Sequence, residues 1–284
     1  MGSGVVRISM ALLLSVASCA ALAQDVASPS PPAKRVVGEG VTGTLLRHTQ
    51  FASRHVAARN VDVWLPPGYD EAKDARYPVL YLHDGQNVFD PSTSYTRVDW
   101  GVDEAMTRLI GNGHVRPAII VAVWNTPKRL QEYMPRKAIQ GESFIPTPGD
   151  PPFPTAEIVA DDYLAFLATE LKPFIDAQYR TLKGPSDTFV MGSSMGGLIS
   201  AYAVMEFPQV FGGAGCVSTH WPIAGGIVED YVESHLPAPG RHRFYFDYGT
   251  EAIDAQYEPY QQRVDATMRA RGYRPGVDMV SHRY

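Results

Sequence analysis

Cysteine is scarce in this chain: 284 residues hold two, Cys19 and Cys216. Cys19 lies in a segment expected to be cleaved, and one remaining thiol cannot form an internal bridge. The folded chain must therefore be held by its core. Cys216, in Gly215-Cys216-Val217-Ser218, reads as a small buried strand residue, with a thiol nucleophile as the alternative. Charge is also sparse, at 19% of residues, with a net charge of −5 and no long basic run. That composition argues against nucleic acid as the main partner. The clearest N-terminal apolar run, Met10 to Ala17, is too short to span a bilayer. No internal repeat is present.

What is present suits one large domain. Hydrophobic residues make up 45% of the chain, and 25 Gly with 23 Pro indicate a loop-rich α/β protein rather than a helical bundle. Arg7, the run Met10–Ala17 and Ala21-Leu22-Ala23-Gln24 read as a secretory signal over residues 1–23, cut after Ala23. This places the mature protein in the periplasm or outside the cell. An alternative cut before Cys19, in Val16-Ala17-Ser18-Cys19, would leave a lipid anchor on that cysteine. Asp25 to Arg35 is rich in Pro, Ser and Ala, so residues 24–40 are expected to form a disordered linker. The domain is expected over 41–284.

Along the domain, Gly43–Gln50 and Asn60–Leu65 read as antiparallel edge strands. Tyr77–Leu82 is a short apolar strand ending in His83-Asp84-Gly85-Gln86-Asn87. Trp100–Ile110 has helical spacing. Ala118–Trp124 is a continuous apolar run, typical of a parallel strand buried on both faces. Residues 125–154 read as a long irregular loop, a length that usually signals function. A long helix is expected over Ala156–Ala177, with a kink at Lys172-Pro173. Strands at Phe211–Val217, Arg243–Tyr248 and Val277–Tyr284, and a helix at Tyr257–Arg271, complete the pattern. Alternating strands and helices predict a mostly parallel sheet with helices on both faces. Ligands sit at the carboxyl ends of such strands.

The chain is organised around Thr188–Gly197, TFVMGSSMGG. A short strand leads into Gly192-Ser193-Ser194-Met195-Gly196, and a helix-length apolar segment follows. Strand, G-x-S-x-G, helix is the nucleophile elbow of the α/β-hydrolase fold. It exposes the Ser194 hydroxyl on a sharp turn and aims the Met195 N–H at a developing oxyanion. The second donor is expected from the turn after an early strand, at Gln86, where Gly85 permits a tight bend. For the acid, Asp254 is expected, with Glu251 and Asp247 as alternatives.

The order of a triad in this fold is serine, acid, histidine. Only His282 follows Asp254, and it lies inside the last strand. His220 precedes the acid; with Trp221 it is expected either to line the substrate pocket or to form a packed loop end. The expectation is a chain truncated at its C-terminal end, with the histidine a few residues past Tyr284.

Several stretches together resemble the bacterial esterase family that includes enterochelin esterase-like hydrolases and feruloyl esterase domains. They are Tyr81–Asp90, Trp124-Asn125-Thr126, Arg129, Glu132, Tyr133 and Pro135, Asp162-Tyr163 with Glu170–Pro173, and Gly192–Leu198. The resemblance implies a serine-dependent ester hydrolase that needs no metal or cofactor, with Ser194 as nucleophile. It also implies that the loop carrying Arg129 and Tyr133 borders the pocket, though Arg129 and Glu132, three apart, could simply pair on the surface. His83 and Asp84, in the turn that leads to Gln86, are expected beside that pocket, with His83 fixing the loop rather than doing chemistry. The substrate is expected to be a small or polysaccharide-linked ester. The rival readings are a non-catalytic binding protein on the same scaffold, or an acyltransferase.

Overall fold

The structure, a computed structural model, describes residues 1–2, 32–38 and 40–284. The expected signal segment and the Cys19 anchor site lie outside the described residues. Nine strands form one sheet in the order β1-β2-β3-β5-β4-β8-β9-β10-β11. Their bounds are β1 Lys34–Val36, β2 Thr44–Phe51, β3 Arg59–Leu65, β4 Val79–His83, β5 Ile119–Val123, β8 Thr188–Ser193, β9 Gly213–Val217, β10 Arg243–Tyr248 and β11 Met279–Arg283. A separate hairpin pairs β6 Ser143–Phe144 with β7 Phe153–Pro154. The strands from β5 to β11 in the large sheet are parallel; β1, β2 and β3 add an antiparallel flank. This is the α/β-hydrolase fold, with helices on both faces as expected.

The expected linker is corrected at its end. Lys34, Arg35 and Val36 pair with Arg47, Leu46 and Leu45. Their extended backbone satisfies the outer row of β2, so the folded domain begins before residue 41.

The helices are α1 Val102–Gly111, α2 Arg129–Tyr133, α3 Ala160–Phe166, α4 Lys172–Gln178, α5 Met195–Glu206, α6 Ile227–His235 and α7 Glu258–Ala270. The apolar run at β5 is explained by burial on both sides. Ile119, Val121 and Val123 enter the larger core, while Ile120 and Ala122 enter a second one with Leu82, Val88 and Phe89. Val102, Met106 and Ile110 of α1 cover that second core.

Helix α5 is buried on every side, so it has no polar face to show. Each fully buried Leu or Ile there contributes about 1.5–3 kcal/mol of transfer free energy. The expected kink at Pro173 is instead a π turn, Leu167–Leu171, joining α3 to α4. Proline has no N–H to donate and its ring crowds the carbonyl four residues back. The wider winding just before it removes that demand.

The stretch 125–154 is also less irregular than its prolines suggest. It holds α2, a 3-10 turn at Arg136–Ala138 and the β6–β7 hairpin. Helix α2 is pinned by a buried ion pair. Arg59 donates to Glu132 at 2.9 and 2.7 Å, and the two side chains are 1% and 2% exposed. The surface pairing of Arg129 with Glu132 is thus overturned: Glu132 pairs with Arg59, and Arg129 pairs with Asp84 at 2.7 Å.

Candidate active site

Ser194 stands between β8 and α5 with φ 60° and ψ −117°. This region is costly for a residue with a side chain and persists only where its surroundings enforce it. Here they do: Ser194 N–H donates to Val217 O at 2.9 Å, and the Ser194 carbonyl accepts from Gly197 and His220 N–H at 3.0 and 3.3 Å. The glycine at 192 is required by space. A Cβ there would lie 2.9 Å from the Gly196 backbone. As the first residue of α5, Met195 has an N–H with no acceptor inside the helix.

The turn after β4 packs directly on this elbow. A methyl group at Gly196 would lie 3.5 Å from Asp84 Oδ2 and 3.6 Å from His83 Cβ. Asp84 has φ 58° and precedes the 3-10 turn Gly85–Asn87. Gly85 is held so tightly that a Cβ would meet the Ala122 carbonyl carbon at 2.6 Å. The turn closes through Asn87 N–H to Asp84 O at 2.9 Å and Val88 N–H to Gly85 O at 3.3 Å. These bonds leave the Gln86 N–H without a partner inside the turn.

A network beneath the two loops locks them together. Arg129 donates to both oxygens of Asp84, at 2.7 and 2.8 Å, and to the Ser193 carbonyl at 3.3 Å. Asn125 Nδ2 donates to Asp84 Oδ1 at 2.6 Å, and the Asp84 N–H donates to Tyr133 Oη at 3.3 Å. Nδ1 of His83 lies 2.8 Å from Tyr163 Oη. His83, Asp84, Tyr133 and Trp221 are all buried, at 0, 3, 0 and 1% exposure. The pocket expected at Asp84 and Tyr133 is therefore corrected, while His83 holds its loop and Trp221 takes the packed loop end that was its alternative. The rings of His83, Tyr133 and Tyr163 pack on one another, and Trp221 gives its Nε1–H to Gln261 Oε1 at 2.8 Å. They support the site from below. Of the six expected pocket residues only Arg129 and His220 are half-buried.

Burial pushes His83 down from 6.5 to about 4, so its imidazole is neutral near pH 7. A histidine whose folded pKa lies below its unfolded value favours the unfolded state once it can take a proton there. Stability therefore rises with pH between about 4 and 6.5, and this residue accounts for about 3 kcal/mol of that rise. Urea unfolding of the wild type and of His83→Gln across this range checks it. The slope of stability against pH is expected to be shallower in the variant.

On the other side of Ser194, Asp254 lies in the 3-10 turn Ala252–Gln256 that leads into α7. Its Oδ2 accepts from Ser218 Oγ at 2.7 Å and from Gly249 N–H at 2.9 Å. Glu251 is exposed at the start of that turn. Asp247 accepts from Ser218 N–H at 2.9 Å. Thus Ser218, at the end of β9, is gripped by both aspartates.

Tyr257 was not legible as a site residue. It is 2% exposed, its hydroxyl lies 2.7 Å from His220 Nδ1, and it interacts with the Ser194 side chain. Burial pushes this phenol up to about 12, so it keeps its proton. Burial and the Arg129 charge lower His220, against the opposing pull of Asp254, so His220 is neutral near pH 7. His282, on β11, is exposed and its ring meets Tyr245 and Tyr284 rather than the elbow. No histidine among the described residues hydrogen-bonds to Asp254.

Comparisons with known proteins agree with this architecture. An endo-1,4-beta-xylanase/feruloyl esterase from Xylanibacter ruminicola is 27% identical over 207 residues, covering 72% of this chain and 24% of that protein. An IroE-like serine hydrolase from Shewanella oneidensis superposes with a TM-score of 0.60 at 19% identity, over 82% of this chain and 71% of that one. A CE1 ferulic acid esterase from Anaeromyces mucronatus, solved with ferulic acid, gives 0.59 at 20% identity, over 88% and 86%. At these identities the two structures speak for the fold. Residues 54–271, well over half of the sequence, match the family described as Putative esterase, and the chain belongs to that family.

Proposed function

We propose that this protein is a serine-dependent carboxylic ester hydrolase working through an acyl-enzyme on Ser194. The observation that carries the reading is the strained Ser194 backbone at the strand–helix junction, with the Asp84–Asn87 turn packed against it. Ser194 Oγ attacks the ester carbonyl carbon. The Gln86 and Met195 N–H groups hold the carbonyl oxygen as it gains charge. The alcohol leaves with a proton, and water then releases the acid from Ser194. Arg129 keeps the two donors in register by bonding to both loops at once.

Asp254 is the acid in this reading, because Ser218 and Gly249 already fix its carboxylate beside the elbow. The base is proposed to be a histidine supplied by chain following β11. The relatives that act on feruloyl esters suggest a hydroxycinnamoyl or acetyl ester on a polysaccharide. A siderophore lactone or a small ester fits the same chemistry. The protein is proposed to work in the periplasm or outside the cell.

The test is covalent capture. A fluorophosphonate probe is expected to modify Ser194, identified by peptide mass spectrometry, in the form of the protein that hydrolyses p-nitrophenyl acetate. Hydrolysis with no label at Ser194 would sink the nucleophile assignment. Full hydrolysis by the 284-residue chain alone would remove the need for a base beyond β11. Absence of hydrolysis in this chain and in one extended past β11 would favour the binding-protein reading.

A further inference from the structure

Asp99, Asp103 and Glu104 meet at the first turn of α1, with one carboxylate oxygen from each within 4.8 Å of the others. Asp103 is fully buried. Its Oδ2 accepts from Thr42 N–H at 2.6 Å, and its Oδ1 has no hydrogen-bond partner. Not one of the ion pairs among the described residues involves any of the three. A buried carboxylate beside two others needs either a proton or a cation.

We propose that these three carboxylates bind a divalent cation of the Ca²⁺ class, structural rather than catalytic. The donor set is all oxygen, with no thiol or imidazole, which suits a hard cation. Half-exposed Asp99 and exposed Glu104 leave a path from solvent and room for water ligands. The helix N-terminus opposes a cation with roughly half a positive charge, which three carboxylates outweigh. The position gives the ion a role. Trp100 N–H donates to Asn87 O at 2.8 Å and Val102 N–H to Val88 O at 3.4 Å, so α1 begins against the turn that carries Gln86. An ion bound there ties the start of α1 to that turn.

Trp100 adjoins Asp99 and is 40% exposed, which supplies a spectroscopic handle. EDTA-treated protein is titrated with Tb³⁺ under tryptophan excitation. The expected result is sensitised emission that saturates, is displaced by Ca²⁺, and is lost in Asp103→Asn and in Glu104→Gln. Ca²⁺ is expected to raise the melting temperature of the wild type and of neither variant. Glu104 is exposed, so its variant reports even if Asp103→Asn fails to fold. Emission that persists in Glu104→Gln, or is indifferent to Ca²⁺, would mean an adventitious ion only and overturn the site. An Asp103→Asn protein at least as stable as the wild type, with no response of either to Ca²⁺, would assign the cluster to a shared proton.

Discussion

Replacing Ser194 by alanine, in the form of the protein that hydrolyses p-nitrophenyl acetate, is expected to lower kcat on that ester by about 10³-fold or more, with KM near the wild-type value. The change removes one oxygen and leaves the backbone of the elbow with the same requirement, since alanine at φ 60° is no worse than serine. Val217 still accepts from the residue-194 N–H, and His220 still donates to its carbonyl. Circular dichroism and melting temperature should therefore stay close to wild type, which separates lost chemistry from lost folding. Residual activity well above the uncatalysed rate is expected, because the candidate donors at Gln86 and Met195 remain. A variant within tenfold of wild-type kcat would show that Ser194 is not the nucleophile.

The largest stability effect is expected at Glu132. Its carboxylate holds Arg59 by two hydrogen bonds and also accepts from Thr126 Oγ1 at 3.2 Å. Arg59 is itself 2% exposed, and its guanidinium lies over the Tyr163 and Phe166 rings. Truncating Glu132 to alanine strands that guanidinium in the core. Leaving one member of a buried pair unmatched costs about 3–5 kcal/mol, a large share of the roughly 5–15 kcal/mol that holds a domain together. The same loss loosens α2, which carries Arg129.

Urea unfolding should show the Glu132→Ala midpoint falling steeply. The double variant Arg59→Met with Glu132→Leu should recover much of the loss, because no unpaired charge remains. A double variant as unstable as the single one would mean that the geometry of α2, rather than the stranded charge, sets the cost.

The elbow could be read from the chain because every part of it is local. Gly192, Ser194 and Met195 are neighbours in sequence, and a strand must turn into a helix within them. The position of Asp254, between the end of a strand and the start of a helix, follows from the same local signals. The pocket residues fared differently. His83, Asp84 and Tyr133 are polar or half-polar, and such residues in a loop after a strand suggest a surface. They are buried because Tyr163, Arg129 and Asn125, distant in sequence, meet their polar atoms. Tyr257 is not legible for the related reason that a tyrosine at a helix start carries no signature until His220 is brought to 2.7 Å from it.

What the sequence by itself determined is therefore the fold class, the elbow and the direction of the sheet, all written in hydrophobic period and turn chemistry over a few residues. What only the tertiary structure decided is which charges pair. Arg129 chose Asp84 rather than Glu132, and Glu132 chose Arg59 across 73 positions. A buried charge is stable only with a partner at hydrogen-bonding distance. Chain spacing does not encode that distance when the partners sit on different strands and helices.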